Sequence, residues 1–272
     1  MLKRFCEPDI CDMTPERAVP QLLDQGEYLA SASTVRRLLK KADLMTQRNG
    51  MRTARPRKGP TSYRATGPNQ VWTWDITYFK DARYTGRFFY GYVIVDVFSR
   101  YMIAAEVYPA DNAEFAREFL RKAFEKHCIH PRQLVLHSDS GASMKAAGTL
   151  ALLKERGITF SHNRPRVSND NPYSESLFKT LKYMGRYPGG GFGSIEHCRQ
   201  WLNDFAIRYN GEHLHSSINY VTPKSRHEGE DVAILRRRKE TLEQARAKHP
   251  ERWIQGKTLN CEPAGEQWLN PE

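Results

Sequence analysis

This 272-residue chain has no apolar run approaching the eighteen residues that a membrane helix needs, which excludes a helical span. Its first residues, MLKRFCEPDICDM, have no apolar core of the kind a secretory leader carries, so no such leader is expected. Cysteine is scarce. Cys6, Cys11, Cys128, Cys198 and Cys261 are odd in number and scattered, which argues against a disulfide framework and for a reducing compartment. Cys6 and Cys11 lack CxxC spacing and a nearby histidine pair, so a zinc knuckle is not expected either. There is no internal repeat. Acid is short relative to base: 31 Asp and Glu stand against 42 Lys and Arg, a net charge of +11. With a mean hydropathy of −0.69 and a pI near 9.5, the chain reads as water-soluble and suited to a polyanionic partner. The alternative is a protein that is merely basic.

The chain is long enough for one large domain or two smaller ones. Residues 1–45 read as helical. Thr14 before Pro15 and Glu16 gives a cap, a proline at N1 and an acid in the first turn, and Gly26 can close this helix. Ser33 is the expected cap of a second helix, with Val35, Leu38 and Leu39 on one face and Arg36, Arg37, Lys40 and Lys41 on the rest. A helix-turn-helix and a plain amphipathic hairpin both fit. Residues 46–70 hold six Lys or Arg, three Pro, three Gly and no acid. Such a composition cannot bury a core, so 46–68 is expected to be a basic linker. Arg55, Arg57 and Lys58 within it, with Arg36 and Arg37 before it, are candidate phosphate contacts; a solvated tether is the alternative.

From residue 69 to about 222 the pattern alternates. VWTWDITYF, RFFYGYVIVDVF and YMIAAEVYP read as three strands, with Gly86 turning the first into the second. NAEFAREFLRKAFEKH reads as a helix with Phe115, Phe119, Leu120 and Ala123 inward, followed by strand QLVLHSD, a helix closed by Gly157, and short strand ITFSH. Two more helices follow, NDNPYSESLFKTLKYM and SIEHCRQWLNDFAIRYN. The fold expected is α/β, a mixed sheet flanked by helices, with a small N-terminal helical segment. Residues 223–272 read as a basic helix, carrying Arg236, Arg237, Arg238 and Lys239, and a polar tail.

Three carboxylates carry the chemistry. Asp75 lies in the first strand, Asp139 closes the fourth, and Glu175 opens a helix, with thirty-five residues between Asp139 and Glu175. Hard oxygen donors from separate elements converging at strand ends are what Mg²⁺ requires, and two such ions can activate the attacking oxygen and stabilise the leaving oxygen of a phosphodiester. Taken singly, Asp75 also fits an acid bonded to backbone amides, and Asp139 an Asx turn. Lys179 and Lys182 stand four and seven residues beyond Glu175, on its helix face, where phosphates could be met; the alternative is a Glu175–Lys179 ion pair on a solvated helix. His137 shares the strand face of Asp139, either as its supporting partner or as a core histidine.

WDITY, HSDSG and NDNPYSESLFKTLK, at that spacing, resemble the three catalytic blocks of the DDE transposases of bacterial insertion sequences, in the branch most like retroviral integrases. The likeness covers roughly residues 60 to 225. It implies a ribonuclease-H-like core, with Asp75, Asp139 and Glu175 as catalytic and metal-binding triad and Mg²⁺, replaceable by Mn²⁺, as cofactor. It implies Lys182 at the transposon end, nicking of element ends, and strand transfer into double-stranded target DNA by a homo-multimer in the cytoplasm, on the nucleoid. Proteins of this kind are often made as fusions with an upstream helix-turn-helix frame. The short head here makes the chain either the downstream frame, with such an upstream protein as partner, or a truncated copy. Two further readings stay open: a catalytically silent DNA-binding relative, and a ribonuclease-H-like nuclease that does not join strands.

Overall fold

Two short helices with one apolar face each can bury those faces against each other, and the two N-terminal helices do so. A computed structural model describes residues 2–11, 13–42, 44, 61–164, 171–183, 187–253 and 259–271. It divides the chain into two units, Met1–Lys58 and Gly59–Glu272. In the first, α1 (Pro15–Asp24) begins at a proline whose fixed φ suits N1, after an extended Thr14. The cap of α2 (Ala32–Lys41) is Ser31 and not the expected Ser33: Ser31 has extended backbone, and its hydroxyl accepts the Thr34 N–H, while Ser33 is already helical. Val35 and Leu39 are buried with Ala18, Leu22, Phe5 and Ile10.

The second unit opens with β1 (Tyr63–Ala65), at the end of the basic segment. Strands β2 (Val71–Lys80), β3 (Phe88–Asp96) and β4 (Met102–Tyr108) form an antiparallel meander, and Gly86 takes φ +80° in the first connection. Helix α3 (Ala113–Lys126) then crosses back to β5 (Val135–Ser138), and α4 (Ala147–Glu155) leads to β6 (Thr159–His162). Both β5 and β6 run parallel to β2, so the mixed sheet has the order β4-β3-β2-β5-β6. Strand β2 is central and covered on both faces, which is why its sequence is nearly continuously apolar.

On one face Trp72, Trp74, Tyr92 and Ile94 pack with Phe119, Leu120 and Phe124 of α3. Phe115, expected inward, is only half-buried, and Ala116 takes the buried position. On the other face Phe79, Val93, Val95 and Met102 meet α5 (Pro172–Tyr183) through Leu177 and Leu181, and α6 (Ile195–Gly211) through Leu202 and Phe205. Gly91 makes room for this layer: a Cβ there would stand 2.3 Å from the Phe79 ring. The edge of β4 is covered by α6. Asn210 accepts from Met102 N–H at 2.8 Å and donates to its carbonyl at 3.0 Å, and Arg199 Nε donates to the Val107 carbonyl at 3.0 Å.

Helices α7 (Pro223–His227) and α8 (Asp231–Lys248) follow, joined by a buried Arg226–Asp231 ion pair of 2.6 Å. The polar tail returns as β7 (Gln267–Leu269), antiparallel to β1.

Candidate active site

The strand register lays polar side chains in two successive rows on the sheet face under α5. Thr73 of β2, His137 of β5 and Ser161 of β6 are neighbours across the sheet. Two residues further along each chain stand Asp75, Asp139 and Asn163. Asp75 is still within β2, whereas β5 and β6 have just ended. These are the carboxyl ends of the parallel strands, where α/β sheets open to ligands. Two hydrogen bonds fasten the first turn of α5 above the rows: Ser174 Oγ donates to Thr73 Oγ1 at 3.1 Å, and Asn171 Nδ2 donates to the Trp74 carbonyl at 3.4 Å, next to Asp75. Glu175 follows Ser174 directly. The acceptor end of the same buried amide, Asn171 Oδ1, has no partner among the described residues.

Burial and charge disturb these carboxyls. Burial pushes Asp75 up to about 7, the charge of Asp139 adds to it, and Glu175 contributes further; the Ile76 N–H at 2.7 Å and the charge of Lys182 pull the other way. Glu175, exposed on the rim, is raised first by partial burial and then by Asp139. The three carboxyls therefore share one electrostatic environment. Among the described residues, however, no three His, Cys, Asp or Glu side chains stand close enough to form a metal site as they are.

Lys179 and Lys182 are exposed on α5, and no ion pair joins Glu175 to Lys179. In the first unit Arg36 pairs with Glu16 of α1, while Arg37 is exposed. Arg55, Arg57 and Lys58 lie outside the described residues. Of the basic run on α8, Arg238 donates to the Tyr220 carbonyl at 2.9 Å and Lys239 to Glu262 at 2.8 Å; Arg236 and Arg237 remain exposed. His137 is buried: its Nδ1 lies 3.0 Å from Ser161 Oγ and its Nε2 2.7 Å from Asn163 Oδ1. Asn163 Nδ2 in turn donates to Asp139 Oδ1. Sequence reasoning did not single out Asn163. The available signal was the pairing of HSD with SHN, two parallel strand ends with polar residues in equivalent places.

A mixed five-stranded sheet in this order, flanked by helices and lined with carboxyls from its central strands and a covering helix, is a ribonuclease-H-like fold. Two integrase core domain families match overlapping parts of the chain, residues 65–168 and 156–223, which together make up more than half of it. The transposase of insertion sequence element IS904 from Lactococcus lactis is 28% identical over 178 residues, covering 65% of this chain and 68% of that protein. Transposase InsF of insertion sequence IS3A from Escherichia coli K12 is 31% identical over 196 residues, covering 65% of this chain and 66% of InsF. The match thus spans about two thirds of these relatives' length. A chain of the simian T-cell lymphotropic virus intasome, solved in complex with the PP2A regulatory subunit B56 gamma, superposes with a TM-score of 0.51 at 17% identity, covering 77% of this chain and 70% of that one. The chain belongs to the DDE transposases of insertion sequences, with an integrase core, and so to the polynucleotidyl transferases. No described helix is long and apolar enough to cross a membrane.

Proposed function

We propose that Asp75, Asp139 and Glu175 are the catalytic carboxylates, that they hold magnesium, and that the chain nicks the ends of its element and transfers them into target DNA as a homo-multimer. The observation that carries this reading is the row formed by Asp75 and Asp139 under Glu175, with the Asp75 carboxyl raised to about 7. A half-buried acid beside two like charges is unfavourable when ionised in the metal-free fold and becomes favourable once a cation replaces the proton. The donors are all hard oxygens, which suits Mg²⁺, with Mn²⁺ as a substitute, and three carboxylates are enough to bridge two ions. Bound there, the metal would activate the attacking hydroxyl and stabilise the leaving oxygen of the phosphodiester.

The protein's own residues do the rest. Asp75 gives up its proton to become a ligand, so metal affinity rises with pH through about 7. Ser174 and Asn171 hold α5 so that Glu175 overhangs the strand ends. Exposed Lys182 sends its charge toward Asp75 and offers a phosphate contact at the same edge, with Lys179 one turn before it. Arg37, and the Arg55, Arg57 and Lys58 segment, would add sequence-independent contacts to double-stranded DNA. Arg36, being paired with Glu16, would do so only by exchanging that partner. The α1–α2 pair suits recognition of element ends, alone or with an upstream-frame helix-turn-helix protein. The expected location is the cytoplasm, on the nucleoid.

The test is incubation of the chain with Mg²⁺ and the DNA flanking its own coding sequence. Nicks at defined ends, and covalent joining of those ends to a second duplex, are expected. Nicks without joined product would leave a nuclease. Salt-sensitive binding with neither product would leave a silent DNA-binding relative.

A further inference from the structure

We infer that Asn163 is a positioning residue for Asp139, held in its working orientation by His137. This rests on the reading of Asp139 as a metal ligand. The side-chain amide of Asn163 has one donor end and one acceptor end, and the two are not interchangeable here. Its Nδ2 meets Asp139 Oδ1, and a carboxylate oxygen can only accept. Rotating the amide by half a turn would set two acceptor oxygens against each other. The acceptor Oδ1 must therefore face His137 Nε2, 2.7 Å away, and His137 must carry its proton on Nε2. In the neutral ring Nδ1 is then an acceptor, and the Ser161 hydroxyl at 3.0 Å donates to it. The result is a directed chain of hydrogen bonds, Ser161 to His137 to Asn163 to Asp139, whose first three members are buried.

The backbone makes this chain rigid. The Asn163 N–H donates to the Ser138 carbonyl at 3.1 Å, which continues the β5–β6 ladder one residue past the end of β6. Ser140 Oγ donates to the Asn163 carbonyl at 3.4 Å. Asp139 lies one residue past the end of β5, and there Asn163 Nδ2 meets its Oδ1. A donor held against Oδ1 from one side restricts rotation of the carboxylate plane. Partners of this kind set the direction of a ligand without touching the metal.

The measurement is Mn²⁺ binding to the full chain by calorimetry, with thermal unfolding of each metal-free variant alongside. Asn163→Ala is expected to weaken Mn²⁺ affinity about 10- to 100-fold. The pair His137→Gln and His137→Leu keeps the test decisive if Asn163→Ala fails to fold. A glutamine amide can place an N–H where Nε2–H stands, so His137→Gln should bind within about threefold of the parent, whereas His137→Leu should fall with Asn163→Ala. Nitrogen NMR of the metal-free parent should show His137 as the Nε2–H tautomer. Unchanged Mn²⁺ affinity in Asn163→Ala, with only its melting temperature lowered, would overturn the inference and leave Asn163 structural. Equal affinity in the two His137 variants, or an Nδ1–H tautomer, would overturn it as well. Absence of Mn²⁺ binding by the parent would overturn the metal reading itself, and this inference with it.

Discussion

Replacing Asp75 by asparagine should make the metal-free protein more stable, and more so at alkaline pH. Burial and the charges of Asp139 and Glu175 lift this carboxyl from 3.8 to about 7. At about 1.4 kcal/mol per tenfold change in proton affinity, ionising it in the folded chain costs on the order of 4 kcal/mol. The group is half-buried, so the realised effect is taken as about 2–3 kcal/mol after solvent screening. The sign follows from linkage. A folded-state value above the unfolded one contributes stability that is fully present below pH 3.8 and is lost as pH rises through about 7. Asparagine is neutral throughout, and its Oδ1 can still accept the Ile76 N–H. In EDTA the variant's advantage should therefore be small at pH 5, where less than half of the parent's loss has accrued, and should reach about 5–10 °C in melting temperature at pH 8, given about 2–4 °C per kcal/mol for a domain of this size. Tryptophan fluorescence can follow unfolding, because Trp72 and Trp74 are fully buried. Saturating Mg²⁺ should stabilise the parent and leave the variant unchanged. A variant that is less stable than the parent at pH 8, or whose advantage is the same at both pH values, would refute the reasoning.

Lys182→Ala should impair end binding or strand transfer, lower the slope of log affinity against log salt by about one, and shift stability by less than about 0.5 kcal/mol, as read by salt-titrated binding beside thermal melts. Arg226→Ala strands the buried carboxylate of Asp231, and chemical denaturation should show a loss of about 3–5 kcal/mol. Asn210→Ala removes both hydrogen bonds to the Met102 backbone at the covered edge of β4, which should cost about 2–3 kcal/mol and raise amide exchange at Met102.

Features set by short-range pattern were readable in the sequence. The apolar run around Asp75 marks a central strand, and Pro15 and Gly86 mark a helix start and a turn. Asp75 and Asp139 ended on neighbouring strands because β2 and β5 pair in parallel, a relation that alternation of helix and strand implies. What local pattern could not supply was partnership over long separations. The pairing of Tyr63–Ala65 with Gln267–Leu269 involves three residues on each side and nearly the whole second unit between them. The approach of Asn163 to Asp139 depends on the β5–β6 register, and a lone Asn at a strand end carries no mark of it. Basic side chains mislead for a related reason. Arg36, Arg238 and Lys239 read as free positive charge, yet Glu16, the Tyr220 carbonyl and Glu262 engage them. Ser31 and Ser33 are equally good caps by residue type, and backbone conformation decided between them.

The central claim is that Asp75, Asp139 and Glu175 together perform metal-dependent strand transfer. Glu175→Gln tests it most directly, because Glu175 is exposed on α5 and its replacement leaves the buried contacts of Ser174 and Leu177 intact. With Mg²⁺ and a duplex bearing the element's end, the parent should release a nicked end and join it to target DNA. Glu175→Gln should do neither, while melting and binding DNA as the parent does. Nicking or joining by the glutamine variant at the parent's rate would contradict the claim.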